Sequence, residues 1–251
     1  MTKLLITGGC GFVGAAVCRR LLAAHSGLSI TVLDSLRRAG AETNREQLAA
    51  VGVTVVHGDI RLASDIDSLG AGPGSFDWVI DAAAEPSVLA GTAAGAAVGS
   101  GVTTRQLLEH NLGGTINLLE AAARWNAGVI LLSTSRVYSI AALSDLPLVP
   151  QDDPARAAAA FTLDVSESSR LPPGVGPAGI TEDFSTAAPV SLYGATKLAS
   201  ETLALEYAHR FGTPLLINRC GVMAGAGQFG RPDQGIFSWW IRQWQARRPL
   251  G

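Results

Sequence analysis

The 251-residue chain lacks most of the features that mark secreted, fibrous or membrane proteins. It has only three cysteines, widely spaced and without metal-ligand spacing, which favours reduced thiols over a disulfide framework. Charged residues make up 16% and the net charge is −2, so no basic field attracts nucleic acid or anionic lipid. No apolar run reaches membrane-spanning length, and no signal-peptide pattern precedes the first predicted strand. We therefore expect a cytoplasmic globular protein without metal, nucleic-acid or membrane partners.

Six short apolar segments alternate with longer segments that are compatible with helices. The predicted strands are Lys3–Thr7, Ser29–Asp34, Val53–His57, Trp78–Asp81, Val129–Ser133 and Leu215–Arg219. Buried parallel strands read as continuous apolar runs, and their alternation with helices is typical of parallel sheets. The pattern predicts an α/β fold with a Rossmann-like, doubly wound parallel sheet. Such sheets bind ligands at the carboxyl ends of their strands.

A glycine-rich turn, Thr7–Gly14, follows the first predicted strand. Its G-x-G-x-x-G spacing permits a tight turn, close approach of the backbone to a pyrophosphate, and a helix N-terminus beside the phosphates. Asp34 ends the second strand, where a carboxylate accepts hydrogen bonds from an adenosine ribose. The two signals together predict a dinucleotide site. Its expected contacts are Gly8, Gly11, Phe12, Val13, Gly14, Asp34, Asp59, Ile60, Ala82, Ala83, Ala84 and Asn111.

The identity of the dinucleotide depends on the charges that follow the second strand. Asp34 repels the 2′-phosphate of NADP, so the pattern favours NAD, although Arg37 and Arg38 are close enough in sequence to neutralise such a phosphate. Asp59 has two interpretations. It either flanks the adenine or caps the helix that follows, and both roles are compatible.

Tyr193 and Lys197 stand four residues apart, so on a helix they share one face. A neighbouring ammonium stabilises an ionised phenol, whose ordinary pKa of about 10 makes it a poor base at neutral pH. An ordinary amphipathic helix is the alternative for this spacing alone. Thr134 ends the fifth strand and offers a hydroxyl to the same substrate alcohol, or else it caps the following loop. We predict Thr134, Tyr193 and Lys197 as the catalytic residues.

Three motifs together resemble a known family: Thr7–Gly14, the hydroxyl cluster before Val137-Tyr138, and Ser191–Lys197. Over nearly the whole chain they are similar to the extended short-chain dehydrogenase/reductases, and among these to the NAD-dependent epimerase/dehydratases of nucleotide sugars. In that family the tyrosine is the base, the lysine holds the nicotinamide ribose and lowers the tyrosine pKa, and the threonine assists. By this resemblance Tyr193 and Lys197 are also expected to contact the cofactor. The resemblance thus implies an enzyme that uses NAD on a nucleotide-diphosphate sugar.

The residues after Thr134 depart from one branch of this family. Sugar dehydratases place Asp-Glu there, but this chain has Ser135 and Arg136, so hydride removal and return, which is epimerisation, is favoured over dehydration. The stretches Thr134–Ile140 and Asn218–Gly225 resemble those of the CDP-paratose (CDP-tyvelose) 2-epimerases. The narrower resemblance implies inversion at C2 of a CDP-sugar through a transient keto intermediate. A UDP-sugar 4-epimerase, another nucleotide-sugar oxidoreductase and a non-catalytic NAD-binding protein are the alternatives.

The chain is predicted to have two parts. Residues 1–220 form the NAD-binding domain with the catalytic residues, and an insertion at about 144–188 is either a flap over the substrate or a peripheral ornament. Residues 221–251 begin a substrate-binding part that is shorter than in the family, so we expect a fragment of a longer protein. Gln228 and Arg231 are candidate contacts to the nucleotide diphosphate, with a solvated surface loop as the alternative. By analogy, a homodimer would form through the Tyr193 helix and the helix near Thr103–Ala123.

Overall fold

The computed structural model describes residues 1–93, 95, 101–150, 161–164, 171–176 and 179–249. Its strands are β1 Thr2–Thr7, β2 Leu28–Asp34, β3 Thr54–His57, β4 Trp78–Asp81, β5 Gly128–Thr134, β6 Leu148–Pro150, β7 Phe161–Leu163, β8 Val175–Gly176, β9 Gly179–Ile180 and β10 Leu215–Cys220. Its helices are α1 Phe12–Ala24, α2 Ala41–Ala50, α3 Ala63–Asp67, α4 Thr104–Leu108, α5 Gly114–Trp125, α6 Ile140–Ser144, α7 Leu192–Phe211 and α8 Ile236–Gln245.

Six of these strands form one parallel sheet in the order β3-β2-β1-β4-β5-β10. The strand order reverses between β1 and β4, which is the arrangement of a doubly wound sheet and confirms the predicted fold. Every boundary predicted for these six strands lies within one residue of the observed boundary. Successive side chains of a strand point to opposite faces, and the apolar residues accordingly divide into two cores. In β1, Leu5 packs into one core while Leu4 and Ile6 pack into the other.

The long helix α7 is positioned by its first turn. Ser191 caps it by accepting a hydrogen bond from the Gly194 N–H at 3.1 Å. Gly194 packs so closely on the turn after β5 that a Cβ atom there would lie 2.2 Å from the Arg136 carbonyl oxygen. The helix buries Tyr193, Lys197 and Glu201 at helical spacing on one face. This packing brings the Tyr193 face of α7 to the carboxyl end of β5.

The described parts of the insertion contain regular structure that the sequence did not predict. Strands β6 and β7 pair antiparallel, as do β8 and β9. The pairs are short and mostly exposed or half-buried, so they lack the apolar pattern that revealed the central strands. Part of the alanine- and glycine-rich segment 82–101 and part of the insertion lie outside the described residues.

Helices α4 and α5 pack against α7 within the chain, and Leu108, Leu205 and Phe211 on these helices are exposed. The expected homodimer through this surface remains a prediction. Among the helices described, none is both long and apolar enough to cross a membrane.

Candidate active site

The glycine turn after β1 forms a narrow cradle with no room for a side chain at Gly14. A Cβ atom on Gly14 would lie 2.4 Å from the Gly8 carbonyl oxygen and 2.6 Å from the Gly9 Cα atom, which real structures do not tolerate. Helix α1 starts directly after Gly11, its N-cap residue, without a side-chain cap. Free N–H groups at a helix N-terminus attract phosphate. The cradle therefore fits the pyrophosphate of a dinucleotide.

Asp34 holds the turn in place from the end of β2. Its carboxylate accepts hydrogen bonds from the Cys10 N–H at 2.9 Å and the Leu36 N–H at 2.8 Å. Burial raises the pKa of the Cys10 thiol to about 12, with a further contribution from Asp34. Cys10 is therefore a small, unreactive packing residue, and Asp34 retains lone pairs for a ribose hydroxyl.

Two adjoining cavities run along the carboxyl edge of the sheet. The Asp34 cavity is lined by Asp34, Asp59, Ile60, Ala83, Glu85 and Arg231 among others. The Tyr193 cavity is lined by Phe12, Val13, Gly14, Thr134, Tyr193, Lys197, Cys220 and Gln228 among others. Both cavities touch Gly8, Gly11, Arg38, Ala82 and Ala84. A dinucleotide laid across the glycine turn would thus place its adenosine half near Asp34 and its reacting half near Tyr193.

The three predicted catalytic residues meet in the Tyr193 cavity. Burial raises the pKa of Tyr193, and a hydrogen bond with the Thr134 hydroxyl acts in the opposite direction. Thr134 Oγ1 also accepts a hydrogen bond from the Arg136 N–H at 3.2 Å, so its own proton is free for the phenol oxygen. The pair can therefore hand a proton between a substrate hydroxyl and the phenol.

Lys197 shares this cavity with Tyr193, and its expected stabilisation of the ionised phenol stays a prediction. Burial lowers the pKa of Lys197, and Asp81, Cys220 and Glu201 oppose that change. The pKa of Tyr193 is raised. The reason is that both side chains are buried, and loss of water disfavours the charged form of each.

Asp81 supplies a buried negative charge beneath the two cavities. Its carboxylate accepts hydrogen bonds from the Thr7 and Thr115 hydroxyls, each at 2.9 Å. No sequence motif pointed to Asp81 as a site residue, although it stands at the end of a predicted strand, as Asp34 and Thr134 do. Its charge helps to keep the buried Lys197 protonated.

Two predicted cofactor contacts, Asn111 and Asp59, form hydrogen bonds with other residues of the chain. Asn111 lies behind the cavity wall, where its side chain bonds the backbone of Glu85 at 2.8 and 3.1 Å. Asp59 lines the Asp34 cavity, but its carboxylate holds Arg61. Although burial acts to raise the pKa of Asp59, the hydrogen bonds from Arg61 keep it below its ordinary value. The N-cap of α3 is Leu62, not Asp59.

The two candidate substrate contacts lie in different cavities. Gln228 lines the Tyr193 cavity, and its side-chain oxygen is buried without a partner among the described residues. Arg231 lines the Asp34 cavity instead and binds Asp233 through two hydrogen bonds, at 3.1 and 2.9 Å. Gln228 thus faces the place of a substrate, whereas Arg231 faces the place of the adenosine.

Comparison of the sequence with known proteins identifies a family. A model of the NAD dependent epimerase/dehydratase family covers residues 4–251. The chain belongs to this family. It is 32% identical to a CDP-paratose 2-epimerase from Salmonella typhi over 96% of this chain and 63% of the relative. It is 31% identical to a dTDP-glucose 4,6-dehydratase from Mycolicibacterium smegmatis over 87% of this chain and 52% of the relative.

Solved structures in the same family share the fold. A UDP-glucuronic acid 4-epimerase from Bacillus cereus, solved with UDP-glucuronic acid and NAD, gives a TM-score of 0.68 at 23% identity, covering 99% of this chain and 65% of that one. A UDP-glucose 4-epimerase from Thermus thermophilus, solved with NAD, gives a TM-score of 0.65 at 24% identity. That match covers 99% of this chain and 64% of the other. The cofactor of this NAD-dependent family member is NAD. The chain spans less than two thirds of the length of these relatives.

Proposed function

We propose that this chain is the NAD-binding and catalytic part of a nucleotide-sugar epimerase that inverts C2 of a CDP-sugar through a transient keto intermediate. The observation that carries the proposal is the single cavity in which Thr134, Tyr193 and Lys197 meet the glycine cradle. Bound NAD would accept a hydride from the sugar carbon and return it. Residues 221–251 would begin the part that binds the nucleotide sugar.

The residues of the chain would manage the proton that accompanies the hydride. Tyr193 would take the hydroxyl proton of the sugar as the carbon is oxidised, and Thr134 would bond the same oxygen and orient it. When the ketone has turned its other face and is reduced, Tyr193 would give the proton back. Protonated Lys197 would stabilise negative charge in this cavity, since Asp81 and Glu201 act against the lowering of its pKa by burial.

The charges in the cavity favour epimerisation over dehydration. Elimination of water needs an acid and a base beside the sugar. Among the described residues, Asp233 is the one carboxylate that lines the Tyr193 cavity, and Arg231 holds it at 2.9 Å. Ser135 and Arg136 follow the catalytic threonine and offer no carboxylate. The 32% identity to a CDP-paratose 2-epimerase supports a CDP-sugar as the substrate.

The test is product analysis with CDP- and UDP-sugars in deuterated water, preceded by mass spectrometry of the denatured protein for released NAD. Inversion at C2 of a CDP-sugar without deuterium at that carbon is the expected result, because the hydride never exchanges with solvent. Deuterium at the inverted carbon would point to simple deprotonation, and inversion of a UDP-sugar at C4 would replace the proposed substrate.

Tyr193→Phe separates catalysis from cofactor binding. We expect turnover to fall by about 10²–10⁴-fold, the usual contribution of a positioned acid–base group, with NAD affinity nearly unchanged. Tyr207→Phe is the matched control, since Tyr207 lies on the same helix but bonds Glu120 away from the cavity. Full activity of Tyr193→Phe would contradict the role of Tyr193 in the proton step, whereas NAD binding without turnover by the wild-type protein would favour a non-catalytic NAD-binding role.

A further inference from the structure

Arg38 occupies a special position in the cofactor crevice. Of the described residues, Gly8, Gly11, Arg38, Ala82 and Ala84 line both cavities, and Arg38 is the one charged side chain in that set. The ribose-binding carboxylate of Asp34 lines the Asp34 cavity alone, and the catalytic Tyr193 lines the other alone. The diphosphate that links the two halves of a dinucleotide would therefore lie at the boundary between the two cavities. Arg38 places a positive charge at that boundary.

The guanidinium of Arg38 is not saturated by its protein neighbours. Its Nη1 atom lies 3.6 Å from the Glu85 carboxylate, which is too long for a hydrogen bond. Its Nη2 atom is buried and has no partner in the described part of the chain. The nearby Asp233 is committed to Arg231. Burial lowers the pKa of Arg38, although Glu85 acts to raise it.

A guanidinium whose buried Nη2 has no partner calls for an anionic acceptor. Arginine presents its donors in a planar fork that matches two phosphate oxygens. The glycine cradle would place such oxygens beside Gly8 and Gly11, which line both cavities together with Arg38, because uncapped N–H groups at the start of α1 attract phosphate. The 2′-phosphate of NADP would lie beside Asp34 instead, inside one cavity rather than at the boundary.

We propose that Arg38 binds the diphosphate of the dinucleotide, turning its buried Nη2 toward the crevice when the ligand enters. The role differs from neutralising a 2′-phosphate, and it rests on NAD as the cofactor rather than on the epimerase reaction. A nucleotide sugar also carries a diphosphate, and it would reach Arg38 from the Tyr193 cavity. The dinucleotide and the nucleotide sugar differ in the nucleoside attached to the diphosphate, so adenine and cytidine nucleotides distinguish them.

Calorimetric titration of the nucleotide-free protein with adenosine, ADP-ribose, NAD, 2′-AMP and CDP tests the proposal without any sugar turnover. Failure of the epimerase proposal leaves this measurement intact. For Arg38→Gln we expect affinity for ADP-ribose and NAD to fall by about 10–100-fold, as for the loss of charge-assisted hydrogen bonds. Adenosine affinity should stay within about twofold, because adenosine has no phosphate.

Arg45→Gln is the matched control. Arg45 is exposed on α2 outside both cavities, and it acts on Cys10 through its charge. The substitution removes the same charge near the turn, and ADP-ribose affinity should stay within about twofold. Arg38→Lys keeps the charge but loses the fork, so its affinity should lie between wild type and Arg38→Gln. It also serves as the test variant if Arg38→Gln does not fold.

Four outcomes would overturn the proposal. Equal losses for adenosine and ADP-ribose would mean a distorted site rather than a lost phosphate contact. A loss for 2′-AMP without one for ADP-ribose would place Arg38 at a 2′-phosphate. A loss for CDP alone would assign it to the sugar nucleotide. Equal effects of Arg45→Gln and Arg38→Gln would reduce the role of Arg38 to a general electrostatic field.

Discussion

Arg219 and Glu201 form an ion pair directly behind the predicted catalytic residues, with Glu201 buried and Arg219 half-buried. The Arg219 Nη2 atom donates to Glu201 Oε2 at 2.8 Å, and its Nε atom lies 3.2 Å from both carboxylate oxygens. Glu201 also accepts a hydrogen bond from Ser133, the neighbour of Thr134. Arg219 Nη1 reaches the Glu182 carbonyl at 3.0 Å. The pair thus joins β5, α7 and β10 to Glu182 near the end of the insertion.

Glu201→Gln should strongly destabilise the fold. The substitution leaves the half-buried Arg219 guanidinium without its charged partner, which should cost about 1–3 kcal/mol in free energy of unfolding. Chemical denaturation measures the change. Glu109→Gln breaks the exposed Arg105–Glu109 pair and should cost no more than about 0.5 kcal/mol. A loss for Glu201→Gln as small as that of the control would show that water reaches the Arg219 guanidinium.

Thr134→Val should move the pH profile of turnover to higher pH. If ionised Tyr193 is the base, kcat/KM rises with pH as the phenol loses its proton. The Thr134 hydrogen bond lowers the pKa of Tyr193, so its removal raises that pKa further above its ordinary value. The rising limb of the kcat/KM profile should therefore move to higher pH in Thr134→Val. In Thr134→Ser, which keeps the hydroxyl, it should lie at the wild-type position. An unmoved limb in both variants would remove Thr134 from the proton step.

Gly14→Ala should weaken both stability and NAD binding. The new Cβ atom would lie 2.4 Å from the Gly8 carbonyl oxygen, so the turn and α1 must separate. Overpacking of this kind costs about 1–3 kcal/mol. Thermal melting with and without NAD measures both effects. In the control Gly113→Ala the Cβ atom would lie 4.0 Å from the Leu108 carbonyl oxygen, and stability should rise by about 0.5–1 kcal/mol.

Asp34 should make the protein prefer NAD to NADP by at least about tenfold, because its carboxylate would repel a 2′-phosphate. Fluorescence titration with both dinucleotides measures the ratio. Asp34→Ala should reduce the ratio and also lower stability, since the Cys10 N–H loses its acceptor at 2.9 Å. Equally tight binding of NADP by the wild-type protein would contradict the predicted role of Asp34.

The central sheet was predictable because its strands are encoded locally. Each is a short, mostly apolar run such as Val129–Ser133, as is typical of parallel strands covered on both faces. The insertion was not predictable in the same way. Strands β6 and β7 pair through their backbones on the surface, and an exposed pair needs no distinctive side-chain pattern.

The helical spacing of Tyr193 and Lys197 correctly predicted that they share one buried face of α7. Their electrostatics depend on burial, which the spacing does not report. A four-residue spacing says nothing about desolvation, and burial shifts the pKa of each side chain toward its neutral form. Asp81, from β4, could not be connected with Lys197 until the fold brought the two elements together.

The sequence by itself determined the strands of the parallel α/β sheet, the glycine cradle and the common face of Tyr193 and Lys197, because each depends on residues close together in the chain. Only the tertiary structure decided which cavity each side chain enters. It separated Gln228 from Arg231, placed Arg38 on the boundary, and paired Arg219 with Glu201. Contacts between distant segments follow from how the elements pack, and no local pattern records that packing.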